Sequence, residues 1–119
     1  MTADQFRRIA LSFAQATEHS HMSHPDFRAG GRIFATLGYP DEDWGMVKLT
    51  PEEQNNFVKA QPDVFVPVPG GWGRLGATSV RLKGARGPSV RRAMKVAWAH
   101  SLARKAKGKS IGKATTSRQ

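Results

Sequence analysis

Three groups of residues have types and spacings that could do chemistry. The first is Gly71, Gly73 and Gly76, which reproduce the G-x-G-x-x-G spacing of dinucleotide-binding loops and enclose Trp72, Arg74 and Leu75. That chemistry needs a strand before the glycines, a helix opening at them, and an acidic residue about 20 positions on to hold the ribose. Here a strand pattern follows the glycines, and no Asp or Glu occurs after Asp63. The dinucleotide reading is excluded. A phosphate-binding P-loop fails too, because no Lys-Ser or Lys-Thr follows the second glycine. What remains is a mobile glycine loop carrying Trp72 and Arg74, suited to act as a wing on a nucleic-acid backbone. The competing reading tucks Trp72 into the core.

The second group is His19, His21 and His24. On a strand His19 and His21 point to one side, and imidazole suits zinc or copper. Their spacing matches no known metal mechanism, so no metal site and no cofactor are expected; His24 is read as a hydrogen-bonding residue before Pro25. Catalysis finds little else. There is no G-x-S-x-G elbow and no Cys, hence no Cys–His pair. Asp41, Glu42 and Asp43 crowd a turn and read as solvated. The chain is not expected to be an enzyme.

The third group is basic. The first 63 residues hold six basic and nine acidic side chains, a formal −3, whereas the 56 that follow carry 13 Lys and Arg with no acid, which yields the net +10. A segment so one-sided repels itself without a polyanion nearby. Arg74, Arg81, Lys83, Arg86, Arg91, Arg92 and Lys95 fall on a loop, a strand, its exit turn and the next helix. Consecutive elements are usually neighbours in space, so these residues are expected to form one folded basic surface. The bland alternative is that the charge only keeps the protein soluble.

The elements that must position these groups follow from periodicity. Phe6, Ile9, Ala10 and Phe13 mark a helix over 3–16. Strands are expected on either side of Gly30 and Gly31, and from Trp44 to Leu49. Thr50, Pro51 and Glu53 form a capping box that opens a helix to about Ala60. Val64 to Pro69 is extended, with prolines that suit a sheet edge, and Ala77 to Lys83 alternates as a last strand. A final helix runs from Gly87 to about Arg104 and buries Val90, Met94, Ala97, Trp98 and Ser101 on one face. The order is α-β-β-β-α-β-β-α: a two-layer α+β domain over 1–104, with helices on a five-stranded antiparallel sheet. Residues 105–119 read as a disordered basic tail. At 119 residues and 39% hydrophobic content the chain holds one modest core. No apolar run reaches the 18 or so residues of a membrane span and no secretion signal precedes it, so the cytoplasm is expected.

Several blocks stand in order along the chain: His24 to Arg28, Arg32 to Leu37, Trp44 to Gln54, and Phe65 to Arg74. Together they resemble the MmcQ/YjbR (DUF419-like) family over about residues 5–103. The resemblance implies a compact α+β fold and DNA binding through wing-like loops, which fall here on Gly70 to Gly76 and on the Gly30–Gly31 turn. It implies no catalytic site, and it makes Phe34, Trp44 and Phe65 core residues.

The leading expectation is therefore a DNA-binding protein, directed at the duplex backbone and largely insensitive to sequence. Arg81, Lys83, Arg86, Arg91, Arg92 and Lys95 would neutralise phosphates while Trp72 and Arg74 probe a groove or backbone. The alternatives are a protein-interaction or small-ligand module, and, more distantly, an enzyme built on the three histidines.

Overall fold

The computed structural model describes the backbone of residues 1–21 and 23–114 and the side chains of residues 1–20 and 23–103. Its first helix, α1 (Ala3–Leu11), begins at a cap: the Thr2 hydroxyl accepts from the Gln5 N–H at 3.1 Å, and the Gln5 side chain accepts from the Thr2 N–H at 2.8 Å. This reciprocal box satisfies two orphan donors of the first turn. The helix stops earlier than its apolar spacing suggests, because the Ser12 hydroxyl turns back to the Ile9 carbonyl at 2.6 Å. Phe13 then packs on the core from beyond the helix.

Strands β1 (Thr17–His21), β2 (His24–Ala29), β3 (Arg32–Leu37) and β4 (Trp44–Lys48) run as an antiparallel meander. Helix α2 (Pro51–Ala60) follows, opened by the expected box between Thr50 and Glu53. Then come β5 (Phe65–Pro67), a single turn α3 (Gly71–Arg74), β6 (Ala77–Arg81) and the long helix α4 (Gly87–Ala114). The sheet has six strands in the order β1-β2-β3-β4-β6-β5, which corrects the expected five. The extra strand is β1, whose sequence Thr-Glu-His-Ser-His has no apolar alternation to betray it; it lies at one edge, paired only with β2. The proline-marked β5 occupies the other edge, where its missing donors cost nothing. Helix α4 is assigned through residues 105–114, for which composition predicts a disordered tail; the side chains of that tail and residues 115–119 lie outside the described residues.

Opposed residues share a sheet face. Phe27, Ala35, Val47 and Thr78 stand in register across β2, β3, β4 and β6 and are all fully buried. A bulge between Phe27 and Arg28 makes Phe34 the extra residue of β3, so Phe34 and Ala35 both enter the core. Helices α1, α2 and α4 cover this face. Phe6 of α1 lies against Phe27, Phe57 of α2 against Phe65, and Val90, Ala93, Met94 and Ala97 of α4 are buried. The opposite face carries Thr36, Met46, Trp44 and Arg81. There Trp44 is only half-buried, unlike Phe34 and Phe65, which are core as expected.

Candidate functional site

The glycine segment is not the free wing that its composition suggests. A Cβ at Gly73 would sit 1.7 Å from the Val68 carbonyl oxygen, and one at Gly76 would sit 1.9 Å from the Leu49 carbonyl oxygen, where φ is +112°. Glycine is needed here for close packing and, at Gly76, for a left-handed backbone. The segment is also tied down. The Gln54 side-chain amide on α2 donates to the carbonyls of Gly73 (3.0 Å) and Ala77 (2.9 Å). The resulting turn of helix holds Trp72 and Leu75 out into solvent, 66% and 75% exposed, so the core reading of Trp72 is also set aside. Two large apolar side chains exposed on one fixed turn are a candidate contact surface.

Trp72 forms one wall of an open cleft of about 730 Å³ at the end of the sheet where β3 begins and β4 ends. The β2–β3 hairpin contributes Arg28, Arg32 and Ile33, the start of α2 contributes Thr50 and Pro51, and α4 contributes Ala97, His100 and Ser101. Lys48 stands between them with Nζ 5.6 Å from the Trp72 ring centre. Arg28 is already engaged: its Nε and Nη2 donate to the buried carboxylate of Asp26 at 2.8 and 3.3 Å. That hydrogen bond raises the guanidinium above its ordinary pKa. Across the cleft, His100 Nε2 lies 2.7 Å from Glu53 Oε2. Burial would push the Glu53 carboxyl up, but the Thr50 backbone N–H and the His100 ring outweigh it and hold it below its ordinary value. Trp72 also borders a second, shallower recess shared with Gly71, Arg74 and Leu75. The indole thus borders two depressions, each edged by cations.

The residues expected to form one basic surface are divided. Trp72 and Arg74 stay together on α3. Arg81 lies on the helix-free face of the sheet, its guanidinium 4.6 Å from the Trp44 ring centre. It sits at the far end of β6 from the cleft. Lys83 and Arg86 follow there, beside the acidic turn, since the Leu82 N–H donates to the Asp43 carbonyl at 2.9 Å. Arg91, Arg92 and Lys95 are exposed on α4 in the other layer, where Arg91 donates to Ser12 Oγ at 3.1 Å and Arg92 reaches Ser89 Oγ at 3.5 Å. Strand and helix are adjacent, as their order requires, but their cations face opposite sides of the sheet.

Of the three clustered histidines, His21 and His24 oppose each other in the β1–β2 register, and the His21 side chain lies outside the described residues. His19 Nε2 is 3.1 Å from Thr17 Oγ1, and the His24 ring meets Tyr39 edge-on. Among the described residues, no three of His, Cys, Asp and Glu are grouped so as to hold a metal. Likewise, no described helix is long and apolar enough to cross a membrane.

Reading charge by runs overlooked Arg28, Arg32 and Lys48, because they lie in the half of the chain that is acidic overall. One signal was available: Arg32 and Lys48 sit at the strand ends that a hairpin and a capped helix bring to the same edge of the sheet.

The YjbR family model matches residues 11–100. No curated protein matches the chain. Among solved structures, the crystal structure of Deinococcus radiodurans protein DR2400, which carries a DUF419 domain, superposes with a TM-score of 0.72 at 17% identity, over 93% of this chain and 88% of that one. At that identity the likeness speaks for the fold, a YjbR-type arrangement of helices on an open antiparallel sheet.

Proposed function

This chain belongs to the YjbR family, and we propose that it is a cytoplasmic nucleic-acid-binding protein that grips phosphates at the cleft beside Trp72. One observation carries the proposal: a two-thirds exposed indole on a pinned turn, with Arg32 and Lys48 in the cleft it borders and Arg74 in the adjoining recess. Cations supply phosphate affinity that is indifferent to sequence. The site proposed is smaller than the C-terminal surface expected from charge runs, and it is centred elsewhere. No catalytic residue, metal or cofactor forms part of it.

A salt series of fluorescence anisotropy with labelled oligonucleotides tests this on the intact protein. Three phosphate contacts predict that log affinity falls with log salt at a slope between about −2 and −3. Arg32→Glu with Lys48→Glu should abolish binding at moderate salt, while Arg91→Glu with Lys95→Glu should leave most of it. A slope shallower than about −1, or the reverse ranking of the two variants, overturns the proposal. A second reading, a small-ligand module whose remaining charge is solubilising, draws support from the cleft's size, within the roughly 300–1,000 Å³ of small-molecule sites. A nucleotide that binds the cleft while longer oligonucleotides gain no affinity would favour it.

A further inference from the structure

Resting on the nucleic-acid reading, we infer that the site takes a single strand, with one base stacked on Trp72 and the flanking phosphates held by Arg32 and Lys48 in the cleft and Arg74 in the adjoining recess. Three observations carry this. First, the indole is presented for stacking. Lys48 approaches one face of the ring, the residue is 66% exposed, and Gln54 fixes the turn beneath it, so little order remains to be imposed on binding. Leu75, exposed on the same turn, adds apolar surface to the recess that it lines together with the ring. Second, Trp72 borders two depressions, so a chain passing over the indole would meet cations in each of them. Third, the shape disfavours a duplex. Bases in a duplex stack on one another and turn only their edges outward, so an indole reaches a base face only at an end or at a flipped nucleotide. A single strand offers every base face, and stacking tolerates any sequence because each base has one. The charge agrees: three cations, Arg32, Lys48 and Arg74, edge the two depressions beside Trp72, a number that suits two or three phosphates rather than the broad footprint of a duplex.

The test compares labelled single strands of roughly 12 nucleotides, one deoxy and one ribo, with a blunt hairpin duplex, using the intact protein, Trp72→Ala and Trp72→Phe. Expected is at least tenfold tighter binding of one or both single strands than of the duplex, a loss of about tenfold or more in Trp72→Ala, and recovery of most of it in Trp72→Phe. The two single strands show whether the sugar matters. Trp72 is exposed, so the alanine variant should keep the wild-type melting temperature, which separates lost stacking from lost folding. Duplex binding as tight as single-strand binding, with Trp72→Ala unchanged but Arg32→Glu with Lys48→Glu defective, overturns this inference and leaves the nucleic-acid reading standing. Binding of no oligonucleotide, or binding insensitive to that charge reversal, overturns both.

Discussion

Gln54 reaches from the first turns of α2 to the Gly73 carbonyl, donating at 3.0 Å, and so links a helix on the sheet to the turn that displays Trp72. The same amide also serves Ala77 at 2.9 Å. Both carbonyls keep a backbone donor, the Gly76 N–H for Gly73 and the Val68 N–H for Ala77, each at 3.0 Å. Losing the amide therefore forfeits only the net value of its hydrogen bonds, about 0.5–1.5 kcal/mol each. Gln54→Ala should therefore lower stability by that amount in urea unfolding and speed amide exchange around Arg74 to Gly76. Gln54→Glu is the sharper comparison, because a carboxylate cannot donate and would face two carbonyl oxygens. It should be the less stable of the two variants above the carboxylate's own titration. A Gln54→Glu protein as stable as wild type would mean that the link holds nothing.

The three glycines of the motif should behave very differently. Alanine at Gly73 or Gly76 meets a backbone oxygen at 1.7 or 1.9 Å, so the chain itself must move. Each change should cost about 2–4 kcal/mol, within the range of severe steric lesions. Alanine at Gly71 meets only the Arg74 guanidinium at 3.8 Å and should stay within about 0.5 kcal/mol. Thermal melts of the three variants check the ranking. A cofactor-binding loop would instead be most sensitive in ligand affinity.

These glycines show where sequence reasoning succeeds and where it stops. Local rules were legible: the Thr50–Glu53 box, the Gly30–Gly31 hairpin and the buried stripe of α4 all follow from spacing that acts within one element. The edge position of β5 was equally readable, because proline cannot donate to a ladder. Strand β1 was not, since its pairing partner rather than its own pattern makes it a strand. Glycine at Gly73 and Gly76 looked like freedom and is close packing. That difference depends on Val68 and Leu49, which only the fold brings near. The site was missed for a related reason. Arg32, Lys48 and Trp72 are brought together by sheet register, whereas Arg81 and Arg91 are close in sequence order and parted by the sheet's two faces.

Glu53 joins the cap of α2 to His100 of α4, and its carboxyl is held below its ordinary value in the folded state. A depressed carboxyl contributes stability in full above its unfolded pKa, about 4.3, and that contribution is lost as pH falls through the lower folded value. The melting temperature of wild type should therefore exceed that of Glu53→Gln near neutral pH, and the gap should narrow steadily on acidification below about pH 4. His100→Ala should shrink the same gap, because the ring is one of the groups lowering Glu53. A gap that stays constant with pH would show that Glu53 acts only through its shape.

Arg81 provides the last test, because charge runs and geometry give it opposite roles. As a member of a basic surface it would bind phosphate, and its loss would weaken nucleic-acid binding and flatten the salt dependence. In the structure its guanidinium lies over Trp44 at 4.6 Å, on the helix-free face and at the far end of β6 from Trp72. An exposed cation–π contact of this kind stabilises by about 0.5–1 kcal/mol. Arg81→Ala should therefore lower stability by that amount, alter the fluorescence contributed by Trp44, and leave both the affinity and the salt slope for a labelled oligonucleotide unchanged. Arg32→Ala, measured beside it, should do the reverse, keeping stability while reducing the slope by about 0.7–0.9. If Arg81→Ala instead removed a unit of salt slope, phosphate contacts would extend around the edge of the sheet, and the cleft at Trp72 would be only part of the interface.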